Sequence, residues 1–269
     1  MNYTLKTMIG WILITAHLAA NASPIEPKTI YETDLKYACR IGNLTQVKEL
    51  IQMGHHPNIM DRHYISPLHV TTDPIIAEYL LNNGANVHAA DINFNTKLCR
   101  AARNGELEMV QLLIEYGADP NNKCFRNQTA LHRTVDVKIA KILMDSGADI
   151  EARDKDNNTK LCLAASKGEL EMAELLLENG ADANTRCANN QTPLHLAASS
   201  GQNGVKVAAA LILHGADRNP EAILRITPME IASETRNQEF LEFLRQENLA
   251  VKYEEIDRLQ NIYKNNKHY

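Results

Sequence analysis

Thr192-Pro-Leu-His-Leu-Ala-Ala198 begins a segment that passes through an apolar stretch and stops at Gly215-Ala-Asp217. Working outward, the same opening returns as Thr33-Asp-Leu-Lys, Ser66-Pro-Leu-His, Thr96-Lys-Leu-Cys, Thr129-Ala-Leu-His, Thr159-Lys-Leu-Cys and Thr227-Pro-Met-Glu. From Thr33 onward, successive openings lie 33, 30, 33, 30, 33 and 35 residues apart. The glycine stop recurs at Gly117-Ala-Asp, Gly147-Ala-Asp and Gly180-Ala-Asp, with Gly84-Ala-Asn and Gly54-His-His as variants. Two landmarks in fixed order over most of the chain mark an internal repeat, and this period belongs to a helical unit copied many times.

Each unit reads as two short helices. Leu107, Val110, Leu112, Leu113 and Ile114 fall on one helical stripe. Gly105 and Gly117 bracket that second helix, the latter as a C-terminal cap. The opening Thr or Ser can cap the first helix. Pro67, Pro193 and Pro228 sit in its first turn, where a missing N–H costs nothing. A helix pair this short cannot bury its own apolar face, so neighbouring units must stack.

The Thr-Pro-Leu-His-Leu-Ala-Ala opening and the Gly-Ala-Asp stop resemble the ankyrin repeat, from Tyr31 to about Gln246. The resemblance implies an all-α solenoid of stacked helix-turn-helix units with outward β-hairpin fingers, about six repeats plus a C-terminal cap. Repeat starts are expected near Thr33, Ser66, Thr96, Thr129, Thr159 and Thr192, with the capping unit near Thr227 closed by Phe240, Leu241, Phe243 and Leu244. The domain organisation expected is a leader at 1–22, a short linker at 23–30, the repeat domain at 31–246 and a charged tail at 247–269.

A second periodicity overlies the first. Thr96-Lys-Leu-Cys recurs 63 residues later at Thr159, and Cys124-x-x-Asn-Gln-Thr recurs 63 later at Cys187, so the duplicated unit is a pair of repeats. The short members carry Asp73 and Asp136 in place of a glycine turn, which predicts tighter inter-helix turns.

The leader reads independently of the repeats. Lys6 precedes a 13-residue apolar run at 8–20, and Ala20-Asn-Ala22 follows as a cleavage site. These are the parts of a secretory signal peptide; the run is too short to span a membrane, so no stable span is expected after cleavage.

Composition excludes several classes. The chain has 269 residues, a net charge of −5, 44% hydrophobic and 5% aromatic residues. It lacks the basic excess of a nucleic-acid binder, and a stack of thin helical layers needs few rings. Cys99 and Cys162 share one repeat position and Cys124 and Cys187 another; equivalent positions two repeats apart should lie about 20 Å from each other, beyond disulfide reach. Together with the odd count of five, this predicts reduced thiols and a reducing destination. No close C-x-x-C spacing suggests zinc, and no H-E-x-x-H, G-x-S-x-G or phosphate loop suggests catalysis, so neither metal, cofactor nor enzyme activity is expected. His55-His56 reads as a solvated loop or a weak metal or pH-sensitive spot.

The positive expectation is a binding surface. By resemblance, His69, His132 and His195 hold each repeat's start, while the fingers and inner helices face a protein partner. Tyr64, Phe94, Phe125 and Arg126 stand on the fingers and are the candidate contact residues; large exposed rings either meet a partner or fold back on neighbouring fingers. Asn127, Asn157 and Asn190 occupy the turn-glycine position and tolerate left-handed backbone. Tyr64 and Phe94 suit that position poorly, which predicts two differently bent fingers. Asn127-Gln-Thr129 and Asn190-Gln-Thr192 are glycosylation patterns whose Thr residues start helices, weighing against a glycosylated eukaryotic product. With 26 Asn and 22 Ile, a bias of A/T-rich coding sequence, and with the leader, the chain resembles the exported ankyrin-repeat proteins of intracellular bacteria. A monomer acting on host proteins in the host cytosol is the expectation, with a periplasmic or surface-retained scaffold as alternative.

Overall fold

A computed structural model describes residues 34–245; the leader, the linker and the 247–269 tail lie outside them. Helices pair in chain order. The first pair is α1 (Leu35–Arg40) with α2 (Leu44–Gln52), followed by α3 (Pro67–Val70) with α4 (Pro74–Asn82) and α5 (Lys97–Asn104) with α6 (Leu107–Glu115). Next come α7 (Ala130–Arg133) with α8 (Val137–Asp145), α9 (Lys160–Lys167) with α10 (Leu170–Glu178), and α11 (Pro193–Ser199) with α12 (Gln202–Leu213). The closing pair is α13 (Pro228–Glu234) with α14 (Gln238–Arg245). First helices pack on first helices and second on second along the chain, giving two layers.

Opening residues behave as caps. Thr96 and Thr159 accept the N–H of Cys99 and Cys162, and Pro67, Pro193 and Pro228 occupy the first turn. In the first pair Asp34 accepts the N–H of Lys36 and caps α1; the expected start at Thr33 lies outside the described residues. Gly105 and Gly168 end α5 and α9 at φ of 75° and 67°, the left-handed cap that glycine makes cheap.

The core runs through the stack. Leu98, Leu131, Leu161 and Leu194 are buried at equivalent positions, and Phe240, Leu241 and Phe243 close the far end, with Leu244 packed against them. On α6 the inward residues are Met109, Val110 and Leu113, while Leu107, Leu112 and Ile114 are half-buried, so the stripe is rotated from the expected one. A smaller cluster of Leu35, Ala38, Cys39, Val47, Leu50, Ile76 and Leu80 holds the first two pairs.

Three expectations are corrected. Among the described residues no strand forms; a single antiparallel bridge joins Ala90 and Thr96, so the fingers are tight turns rather than hairpins. The shortened units lose the last turn of their first helix, not the link: α3 and α7 have four residues against eight in α5 and α9, and Asp73 and Asp136 cap the following helix. Cysteines of different positions pair, joining Cys99 to Cys124 and Cys162 to Cys187 with Cα atoms 6.7 and 5.9 Å apart. One unit's first helix faces the next unit's finger, which brings cysteines of unlike repeat positions together. Cys39 stays a buried free thiol, pushed up to about 12 by burial and by Asp34.

Candidate protein-binding surface

In five of the units the third residue after the opening fastens to the next finger. In three units it is histidine. Ser66, Thr129 and Thr192 donate their N–H to Nδ1 of His69, His132 and His195 at 3.2, 3.2 and 3.1 Å. The opposite nitrogen, Nε2, donates across the unit boundary to the carbonyls of Asn95, Asn158 and Ile226 at 3.2, 3.1 and 2.9 Å. The two bonds fix the neutral Nε2–H tautomer. Burial pushes all three imidazoles below their ordinary range, and for His69 the Arg100 guanidinium adds to it. In the other two units the same position is Cys99 or Cys162, and the forward link is the disulfide to the base of the next finger.

Finger shape follows the base residue. Asp61, Asp91 and Asp154 each accept N–H groups two and four residues on, closing a turn with one left-handed residue: Tyr64 at φ 58°, Phe94 at 62° and Asn157 at 66°. Cys124 and Cys187 instead hold turns with two left-handed residues, Arg126-Asn127 and Asn189-Asn190. Tyr64 and Phe94 therefore adopt the same bend as Asn157, against expectation; the aspartate sets the turn and the ring accepts the strain. Fingers also pair: Ile92 donates to the His63 carbonyl at 3.0 Å and Lys155 to that of Arg126 at 2.8 Å, the same contact 63 residues later.

The candidate contact residues thus stand on neighbouring fingers. Phe94 is 71% exposed, Tyr64 57% and Phe125 51%, and none of the three rings stacks on another aromatic ring among the described residues. Arg126 forms an exposed ion pair with Asp156 on the finger with which it pairs. His56 accepts the Asn58 N–H on an exposed loop. Among the described residues no three His, Cys, Asp or Glu side chains gather as a metal site, and no helix is long and apolar enough to cross a membrane.

The family model for ankyrin repeats in three copies matches residues 35–124, 73–154, 98–187, 128–222 and 161–257. The chain belongs to the ankyrin-repeat family. Ankyrin repeats are protein-protein interaction modules of a typically non-enzymatic fold. A zebrafish (Danio rerio) protein named as a palmitoyltransferase, ZDHHC13, is 32% identical over 149 residues, covering 52% of this chain and 23% of that protein. The mouse (Mus musculus) B-cell lymphoma 3 protein homolog is 28% identical over 180 residues, covering 63% of this chain and 39% of its own length. This ankyrin chain thus spans well under half of either relative. The solved ankyrin repeat domain of Bcl-3 superposes at a TM-score of 0.69 with 26% identity, over 79% of this chain and 97% of that one. Both sequence relatives are eukaryotic.

The ankyrin stack also contains functional groups that sequence reading missed. Lys97 and Lys160 are buried beneath the inner helices. Lys97 donates to Glu106 at 2.8 Å; Lys160 donates to the Thr134 carbonyl at 2.6 Å and lies 3.5 Å from Glu169. Burial lowers both ammonium groups, opposed by their glutamates. The signal was present: Lys and Glu recur together at a spacing of nine in both Thr-Lys-Leu-Cys units.

Proposed function

We propose that this chain is a non-catalytic binding module that holds a protein partner across its finger tips and inner helices. One observation carries the reading. Three large rings project from neighbouring fingers, and Tyr64 and Phe94 do so from left-handed backbone that costs a non-glycine residue about 1–2 kcal/mol. Strain kept at an exposed apolar group is characteristic of a contact site. The test is a pull-down comparing the wild type with Phe94→Ala and Phe125→Ala. Loss of the bound set supports the finger tips as the contact; an unchanged set removes them.

Export is proposed on the leader, and two disulfides support an oxidising destination, since cytosolic thiols are kept reduced. This favours retention in the periplasm or at the cell surface over action as an effector in a host cytosol. The bacterial affinity rests on the leader and composition alone, since both relatives described above are eukaryotic. Fractionation followed by non-reducing mass measurement decides: oxidised chain in the envelope supports the scaffold reading, and reduced chain in host cytosol supports the effector.

A further inference from the structure

The inner groove carries charge of one sign at its centre. Four residues after each opening, the sequence places Val70, Arg100, Arg133 and Leu163 on successive first helices. Val70, Arg100 and Arg133 line a concavity of 570 Å³ together with Arg40, Lys97 and Arg103. Arg133 and Leu163 line a second, of 510 Å³, with Arg103, Arg126 and Lys167. Arg103 and Arg133 border both, so the two form one groove.

The acids in and beside it are already engaged. Asp91 binds Arg100 at 2.6 Å, Glu106 binds Lys97 at 2.8 Å, Asp156 binds Arg126, and Asp154 accepts the N–H groups of Asp156 and Asn158. Arg103 and Arg133 have no carboxylate partner among the described residues. The Nε groups of Arg100 and Arg133 are buried and make no hydrogen bond, a costly state for a donor. Burial, then Arg103 and Arg100, lower the Arg133 guanidinium below its usual range, as crowded like charges must. All this sits in a chain of net charge −5.

We propose that this groove receives an acidic peptide segment of a protein partner, its carboxylates on Arg103 and Arg133 and its apolar side chains on Val70 and Leu163. The proposal rests on the protein-binding reading and names the chemistry of the partner. A peptide fits better than a nucleic acid: the cations are confined to the centre, and Val70 and Leu163 beside them offer apolar contacts that a phosphate chain cannot use.

The test is fluorescence anisotropy of the full chain with a short fluorescein-labelled peptide of alternating Glu and Leu. The Arg103 side chain makes no hydrogen bond or ion pair among the described residues, so Arg103→Glu should fold; circular dichroism melting checks it, and Arg103→Lys should retain binding. Arg103→Glu should weaken binding about tenfold, whereas Lys138→Glu, the same charge change on the exposed surface of α8, should leave it within about twofold. No binding to wild type, or equal loss in both reversals, overturns the proposal. Equally tight binding of oligothymidine, lost in Arg103→Glu, overturns it in favour of a general polyanion site. Loss of the lysate partner in Phe94→Ala while the peptide fails to bind would leave the module intact and remove only the acidic segment.

Discussion

The units that open Ser/Thr-x-Leu-His and those that open Thr-Lys-Leu-Cys solve one problem by different chemistry. Both must fasten a helix pair to the finger of the next unit, because no pair is stable alone. The first kind spends an imidazole: His69 and His132 tie their own N-cap to a carbonyl 26 residues on. The second uses a covalent bond, Cys99 or Cys162 to a cysteine 25 residues on. The histidine units of His69 and His132 have a four-residue first helix and that of His195 has seven, whereas the cysteine kind has eight residues and a buried lysine beneath it. A conserved architecture therefore does not fix its fastener, and the two fasteners answer to different variables, one to pH and the other to redox state.

The largest expected effect separates them by redox. Removing one link with Cys162→Ser and Cys187→Ser together should cost about 3.5 kcal/mol, the chain-entropy value for a loop of this size, read as a lower urea midpoint. Wild type in dithiothreitol loses both links and should fall below that midpoint, and Cys39→Ser should stay as sensitive to reductant as wild type. A midpoint that ignores reductant would mean the cysteine units are held by packing alone.

Next comes the histidine kind. His132→Ala leaves the Thr129 N–H unpaired, removes one of the two donors to the Asn158 carbonyl, and should cost about 1–3 kcal/mol. Because folding depresses this imidazole, the unfolded chain binds the extra proton, so stability is full above about pH 6.5 and declines as pH falls through the folded value. Urea melts at pH 7.5 and pH 5.5 should show that decline in wild type and a shallower one in His132→Ala. Equal slopes would show that the imidazole is not what senses acid.

The smallest effect concerns fingers rather than fasteners. Phe94→Gly relieves left-handed strain and should raise stability by about 0.5–1 kcal/mol in a thermal melt, while abolishing capture of the partner. A fall in stability would mean that the ring packs instead of waiting for a contact.

Much of the fold was legible because period, caps and glycine stops are local. Pro193 and Thr192, or Gly105, report their roles within a turn of chain. Phe240 and Phe243 were readable as a cap because large apolar residues gather where no stop follows. Forward links were not legible, since Cys99 meets Cys124 only once the units stack, and alignment compares like positions with like. The finger aromatics could be named but not their shared bend, which Asp61 and Asp91 impose through side-chain hydrogen bonds. The groove escaped altogether: a net charge of −5 conceals a local cluster of the opposite sign.

The disulfides lie wholly inside the 63-residue unit that recurs, from Thr96 to Asn158 and from Thr159 onward. Both halves of the first link, Cys99 and Cys124, lie within the one repeat Thr96–Gln128, so copying either that repeat or the whole unit transmits a finished cross-link. The bond is thus heritable as a closed circuit. The array can lengthen without passing through an ancestor that carries a stranded thiol at the base of a finger.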